Sequence, residues 1–77
     1  MVLHYLMDVI ERGTGKPLIQ NMEFDFISVT NPITVEIQAK EAAGEWLIRE
    51  AHYTPRLREK LYRNNELVPF RLEMVMI

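Results

Sequence analysis

Few residues of this 77-residue chain have the types and spacing that chemistry requires. Gly13, Thr14, Gly15 and Lys16 bring together the glycines and lysine with which a phosphate-binding loop cradles a nucleotide. Two positions break the pattern. Ile10 stands where the first glycine of such a loop belongs, and Pro17 follows the lysine where a magnesium-binding Ser or Thr is needed. A hairpin turn is the better account. Glu23 and Asp25 would share one face of a strand, as a general acid and base do. They alternate with Phe24 and Phe26, however, which is the pattern of a half-buried strand with its acids in water. His4 and Asp8 would share a helix face as two metal ligands, but His52 is the only other histidine and no acidic pair completes a site. His4 reads better as a partly buried strand residue and His52 as a polar residue near a helix end. With no cysteine and a single serine, Ser28, the chain also lacks a credible nucleophile and base. The expectation is a protein with no catalytic residues, no cofactor and no metal.

One charged constellation is more suggestive. Arg56, Lys60 and Arg63 recur at i, i+4 and i+7, so a helix here would carry a positive face, with Arg49 and Arg58 nearby. Glu50 and Glu59 interleave, and the aromatic signatures with which RNA-binding domains stack bases are missing. A solvated face is the simplest reading. Among functional ones, contact with an acidic protein surface stands ahead of contact with nucleic acid.

Composition bounds what must position these groups. The length leaves room for one domain, residues 1–77, near the lower limit for a single apolar core. An apolar fraction of 48% with 26% charged residues is that of a folded globular chain. Without cysteine there are no disulfide staples, and a reducing, cytoplasmic setting fits best. Neither a membrane span nor a signal peptide is expected, since the apolar runs are only a few residues long. The net charge of −2 gives no general attraction to nucleic acid or anionic lipid, although the charge is unevenly spread. Residues 1–39 hold five acids and two bases, and residues 49–63 hold five bases and two acids.

Hydrophobic periodicity outlines the elements. Residues 2–11 place Leu3, Tyr5, Met7 and Val9 on one side of a strand, although Leu3, Leu6, Met7 and Ile10 also fit a helix that Gly13 would stop. The turn-rich Arg12–Pro17 segment favours the strand, feeding a hairpin partner over 18–28. Thr30, Asn31 and Pro32 break that partner. Residues 33–39 then alternate Ile33, Val35, Ile37 and Ala39 against polar residues and predict a third strand. From Ala39 the period becomes helical through Ala42, Ala43, Trp46, Leu47 and Ala51. Thr54 and Pro55 restart a second, short helix, which buries Leu57 and Leu61 and runs to about Arg63. Asn64 and Asn65 tolerate left-handed turn geometry, and residues 67–77 alternate as a last strand with Pro69 near its start. The reading is an α+β domain in the order β-β-β-α-α-β, a small antiparallel sheet of about four strands with two short helices on one face.

Two helices cover only one face of such a sheet. Ile19, Ile27, Val29, Leu67, Val75 and Ile77 fall on the other, where an apolar cluster of that size implies an interface. Ile27, Val29, Val75 and Ile77 are the expected contacts of a homodimer that stacks this face across a two-fold axis. No motif identifies a family. The organisation as a whole, with a strand-rich start, an Ala-rich helix entered from a strand and a final strand in a very short chain, looks like that of many phage or prophage accessory proteins. These bind and inhibit host machinery, as anti-CRISPR proteins and small inhibitors of host polymerases do. The expected function is a non-enzymatic protein-binding module. The alternative is a small dimeric nucleic-acid-binding regulator that uses the basic helix.

Overall fold

The computed structural model describes residues 1–27 and 32–77. Seven elements follow one another: strand β1 (Val2–Glu11), strand β2 (Pro17–Ile27), helix α1 (Pro32–Ala51), helix α2 (Pro55–Leu61), the two-residue strands β3 (Tyr62–Arg63) and β4 (Glu66–Leu67), and strand β5 (Phe70–Met76). The α+β class and the antiparallel sheet are as the sequence predicts. The sheet has three strands in the order β2-β1-β5, and β3 and β4 form a separate small hairpin.

The first hairpin turns through Gly13 and Gly15, both at positive φ, where glycine carries no steric penalty. The Glu11 amide donates to Lys16 O and the Gly15 amide to Glu11 O, closing the turn. The GTGK motif is therefore a hairpin loop. Along the hairpin, Met7 pairs with Met22 but Val9 pairs with Ile19, so Gln20 and Asn21 together oppose Asp8. This is a β-bulge. Asn21 takes a positive φ of 56° there, and its amide donates to Asp8 Oδ1 at 2.8 Å. The extra residue reverses the side-chain alternation of β2. Ile19, which simple alternation assigns to the open face, is instead buried in the core beside Met7 and Val9.

A second correction concerns residues 33–39, which are helical rather than a strand. Val35 and Ala39 are buried while Ile37 is 64% exposed, so a period of two does not sort these residues and a period of about four does. Val35, Ala39, Ala43, Leu47 and Ala51 form one buried ladder along the 20 residues of α1. The β-branched residues that suggest a strand are overruled by that continuous apolar stripe, because helices in proteins are stabilised chiefly by the packing of one face. The sheet is one strand smaller, and the first helix longer, than the sequence reading has them.

Both helices lie on one face of the sheet. Met7, Val9, Ile19, Ala43, Leu47, Ala51 and Leu61 form the buried centre, with Phe24, Trp46, Leu57, Phe70, Leu72 and Met74 packed around it. The Phe24 and Trp46 rings meet in a tilted arrangement with centroids 5.7 Å apart. Thr54 precedes α2 in an extended conformation without a side-chain capping bond, and proline alone sets the start of the helix. The helix ends at Leu61, two residues earlier than the spacing suggests. Asn64 and Asn65 both adopt positive φ as the two turn residues between β3 and β4, the twist that a tight hairpin demands. Among the described residues, no helix is long and apolar enough to cross a membrane.

Candidate functional site

The face of the sheet opposite the helices is largely open toward the end that carries Val2 and His4, while Ile10 at its other end is buried. Because β1 is central and pairs with both neighbours, its even-numbered residues fix what this face presents. The register sets Val2 beside Ile27, His4 beside Asp25 and Leu6 beside Glu23 on one side. On the other side Leu6 lies beside Val75, Asp8 beside Glu73 and Ile10 beside Arg71. The Ile77 amide donates to His4 O, which extends the row. Val2, Leu6, Ile27, Val75 and Ile77 thus surround the His4–Asp25 pair at one end of the face. Neighbouring strands are about 4.8 Å apart and same-face residues about 7 Å apart along a strand, so these side chains form one patch. Val2 is 48% exposed, Ile27 71%, and Val75 and Ile77 65% each.

The rest of the face is acidic. Asp8, Glu23, Asp25 and Glu73 point from it, against Arg71 and the single imidazole of His4. His4 Nδ1 and Asp25 Oδ1 are 2.8 Å apart across the strands, and Arg71 pairs with Glu73 on β5. The patch is an apolar surface with an acidic border.

The residues expected at the dimer contact are distributed unevenly. Ile27, Val75 and Ile77 are exposed on this face as the sequence predicts, but β1 lies between β2 and β5, so Ile27 is two strands away from Val75 and Ile77. Val29 lies outside the described residues, as does Ser28. Leu67 sits in the small β3–β4 hairpin and is not a member of the three-stranded sheet. Val2 and Leu6 complete the patch without having been singled out. They become visible only once β1 is placed in the middle of the sheet.

The basic stripe is only partly assembled. Arg56 and Lys60 are exposed one turn apart on α2, and Arg49 is exposed in the last turn of α1. The guanidinium of Arg58 rests 5.7 Å from the centroid of the Tyr62 ring, a cation–π contact within the chain. Arg63 is a correction. It lies beyond the helix in β3, and its guanidinium grips the carboxylate of Glu11 in a two-pronged contact at 3.2 and 3.3 Å. Glu11 is the one buried charged residue among those described. The hydrogen bond from Arg63 outweighs the cost of burial and holds the Glu11 carboxyl below its ordinary value, with Lys16 and Thr14 contributing. Arg63 ties the small hairpin to the end of the sheet.

The remaining chemistry stays dispersed. His4 and Asp8 are four residues apart on a strand, about 13 Å along it, beyond the reach of one metal ion. His52 follows α1, its amide bonded to Arg49 O. Among the described residues no group of three or more His, Asp or Glu side chains is placed to hold a metal. Glu23 and Asp25 point into water from the bare face, and Asp25 is engaged by His4. The hydroxyl of Tyr5 is buried without a hydrogen-bond partner among the described residues, above a cavity of about 300 Å3 lined by Val35, Glu36, Met74 and Met76. No protein family, curated protein or solved structure matches the chain.

Proposed function

We propose that this protein is a non-enzymatic binding module that docks another protein on the bare face of its sheet. The observation that carries the reading is the patch of Val2, Leu6, Ile27, Val75 and Ile77, whose outer members are about half or more exposed on the sheet face opposite the helices. Fully burying such a side chain gains roughly 1.5 to 3 kcal/mol, a large return for a partner that covers several at once. The partner fitting this surface is a protein with an apolar centre and a basic rim, because Asp8, Glu23, Asp25 and Glu73 border the patch. A second copy stacked face to face is a poor occupant, since it would bring the same acids together. Nucleic acid is excluded from this face by the same charges and would have to use Arg49, Arg56, Arg58 and Lys60 instead.

Salt dependence of partner binding separates the two readings. Docking on the patch should lose affinity only moderately as salt screens the rim charges, because the apolar centre is unaffected, and phosphate contacts through the basic residues would lose it steeply. Replacing Arg56 and Lys60 by Glu should leave folding intact and should not slow association with a basic-rimmed partner. Steep salt dependence, together with loss of binding in that double variant, would overturn the proposal in favour of the basic helix.

A further inference from the structure

The sheet has two outer edges, and they differ. On β5 the Ile77 amide donates to His4 O and the Arg12 amide to Pro69 O, so the odd-numbered residues turn their backbone groups toward β1. In an antiparallel ladder the alternate residues then point the other way. Phe70, Leu72, Met74 and Met76 direct their backbone N–H and C=O groups outward, and among the described residues the one strand-edge contact there is Arg12 Nε donating to Phe70 O at 3.1 Å. This edge is regular. It borders a groove of about 660 Å3 whose far wall is Lys40 and Glu41 of α1. The edge of β2 is broken by the bulge at Asn21 and a second register shift near Leu18, devices that blunt an edge against pairing.

An unpaired regular edge is a template for another strand, and the charges of β5 specify which strand fits. For two copies of β5 to pair antiparallel through these edges, even-numbered residues must hydrogen-bond to even-numbered residues. The two-fold axis then falls on a residue. Centring it on Arg71 sets Arg71 against its own copy, and centring it on Glu73 sets Glu73 against its own copy. Centring it on Met74 faces Glu73 with Val75 and leaves the charges unmatched. Centring it on Leu72 alone sets Arg71 opposite Glu73 of the second copy and Glu73 opposite its Arg71, both at close, non-hydrogen-bonded positions. Opposite charges at such positions stabilise a sheet and like charges destabilise it. The β2 edge has no equivalent solution, because Glu23 and Asp25 would meet acids in the corresponding registers.

We infer that the chain self-associates through β5, pairing antiparallel about Leu72 so that two three-stranded sheets become one of six strands. The ladder runs from Phe70 to Met74, with about six backbone bonds and two reciprocal Arg71–Glu73 pairs. The bare faces then lie side by side on one surface, and the docking patches remain open.

Hydrogen exchange followed by NMR, with sedimentation velocity across a range of protein concentration, tests this on the intact chain. As the concentration rises, a dimer should appear and the amides of Leu72 and Met74 should slow together with it, while those of Glu23 and Asp25 on the other edge should not. Arg71→Glu and Glu73→Arg should each weaken the dimer by about tenfold, and the exchanged pair Arg71→Glu with Glu73→Arg should restore it. The two sites are exposed, and circular dichroism of each variant checks that it is folded before its dimer is read. A monomer at every concentration overturns the inference. So does a dimer whose Leu72 and Met74 amides stay fast, or a double variant that remains as weak as the singles.

Discussion

The two faces of the three-stranded sheet are built from the same strands and lead opposite lives. On the covered face Tyr5, Met7 and Val9 of β1 are almost wholly buried, and Met7 and Val9 share a core cluster with residues of α1 and α2. One residue away in each direction, Val2, His4, Leu6 and Asp8 look outward and are paired only along the sheet. Apolar residues occur on both faces, so composition does not separate them. What separates them is supply: two helices, one of 20 and one of 7 residues, suffice for one face of the sheet. The covered face holds the fold together, and the bare face is free to act.

Substitutions on either side sharpen this contrast. The largest effect belongs to the covered face, where Met7→Ala should cost about 2 to 5 kcal/mol in urea denaturation, much of the ~5 kcal/mol at the low end of domain stabilities. A loss below about 1 kcal/mol would show that the helices do not pack there as described.

The next effect is one of pH and sits at the end of the covered face. Arg63 lowers the folded-state value of Glu11 below 4.5, so the stabilisation from their pairing is fully present above that value. It is lost as the pH falls through the lowered folded value, where the carboxylate takes up its proton. Glu11→Gln should therefore be less stable than the wild type near neutral pH, and the two should converge once the pH has fallen below that lowered value. Parallel curves for the two proteins would show that the Arg63 contact contributes nothing.

Smaller still is the effect of Tyr5→Phe. A buried hydroxyl without a partner carries a desolvation cost, so its removal should leave stability unchanged or raise it by about 1 kcal/mol. A clear destabilisation would mean that the hydroxyl has a partner. On the bare face, Val75→Thr and Ile27→Thr keep a β-branched side chain and should move stability by no more than about 0.5 kcal/mol, although they alter the patch.

The sequence carries much of this division, but unevenly. The alternation of Tyr5, Met7 and Val9 and of Phe70, Leu72 and Met74 marks the covered face of two strands directly, and Gly13 and Gly15 mark the turn between β1 and β2. Alternation fails at Ile19 because a bulge at Asn21 shifts the period by one residue, and an asparagine alone does not announce a bulge. It fails again at residues 33–39, where Ile33, Val35, Ile37 and Ala39 satisfy two periods at once. The ladder from Val35 through Ala39, Ala43 and Leu47 to Ala51 was the signal that resolves them, visible once the window extends past Ala39. The Arg63–Glu11 pair joins residues 52 positions apart, and only the fold brings them together. Arg63 therefore reads as the end of a basic stripe until β3 is placed against the sheet. The patch itself was half legible. Val75, Ile77 and Ile27 announce it by their parity, but the strand order β2-β1-β5 decides that Val2 and Leu6 lie between them.

The central claim is that the bare face receives a protein partner, and photo-crosslinking from defined positions tests it most directly. A photoreactive residue would replace Val75 or Ile27 on the bare face, or Arg56 or Lys60 on α2, in four separate variants exposed to the same cell extract. Crosslinks from the Val75 and Ile27 positions to one common protein, persisting at high salt and scarce from the Arg56 and Lys60 positions, are the expected result. Crosslinks confined to the α2 positions, or directed to nucleic acid, would contradict the assignment of the bare face as the site of function.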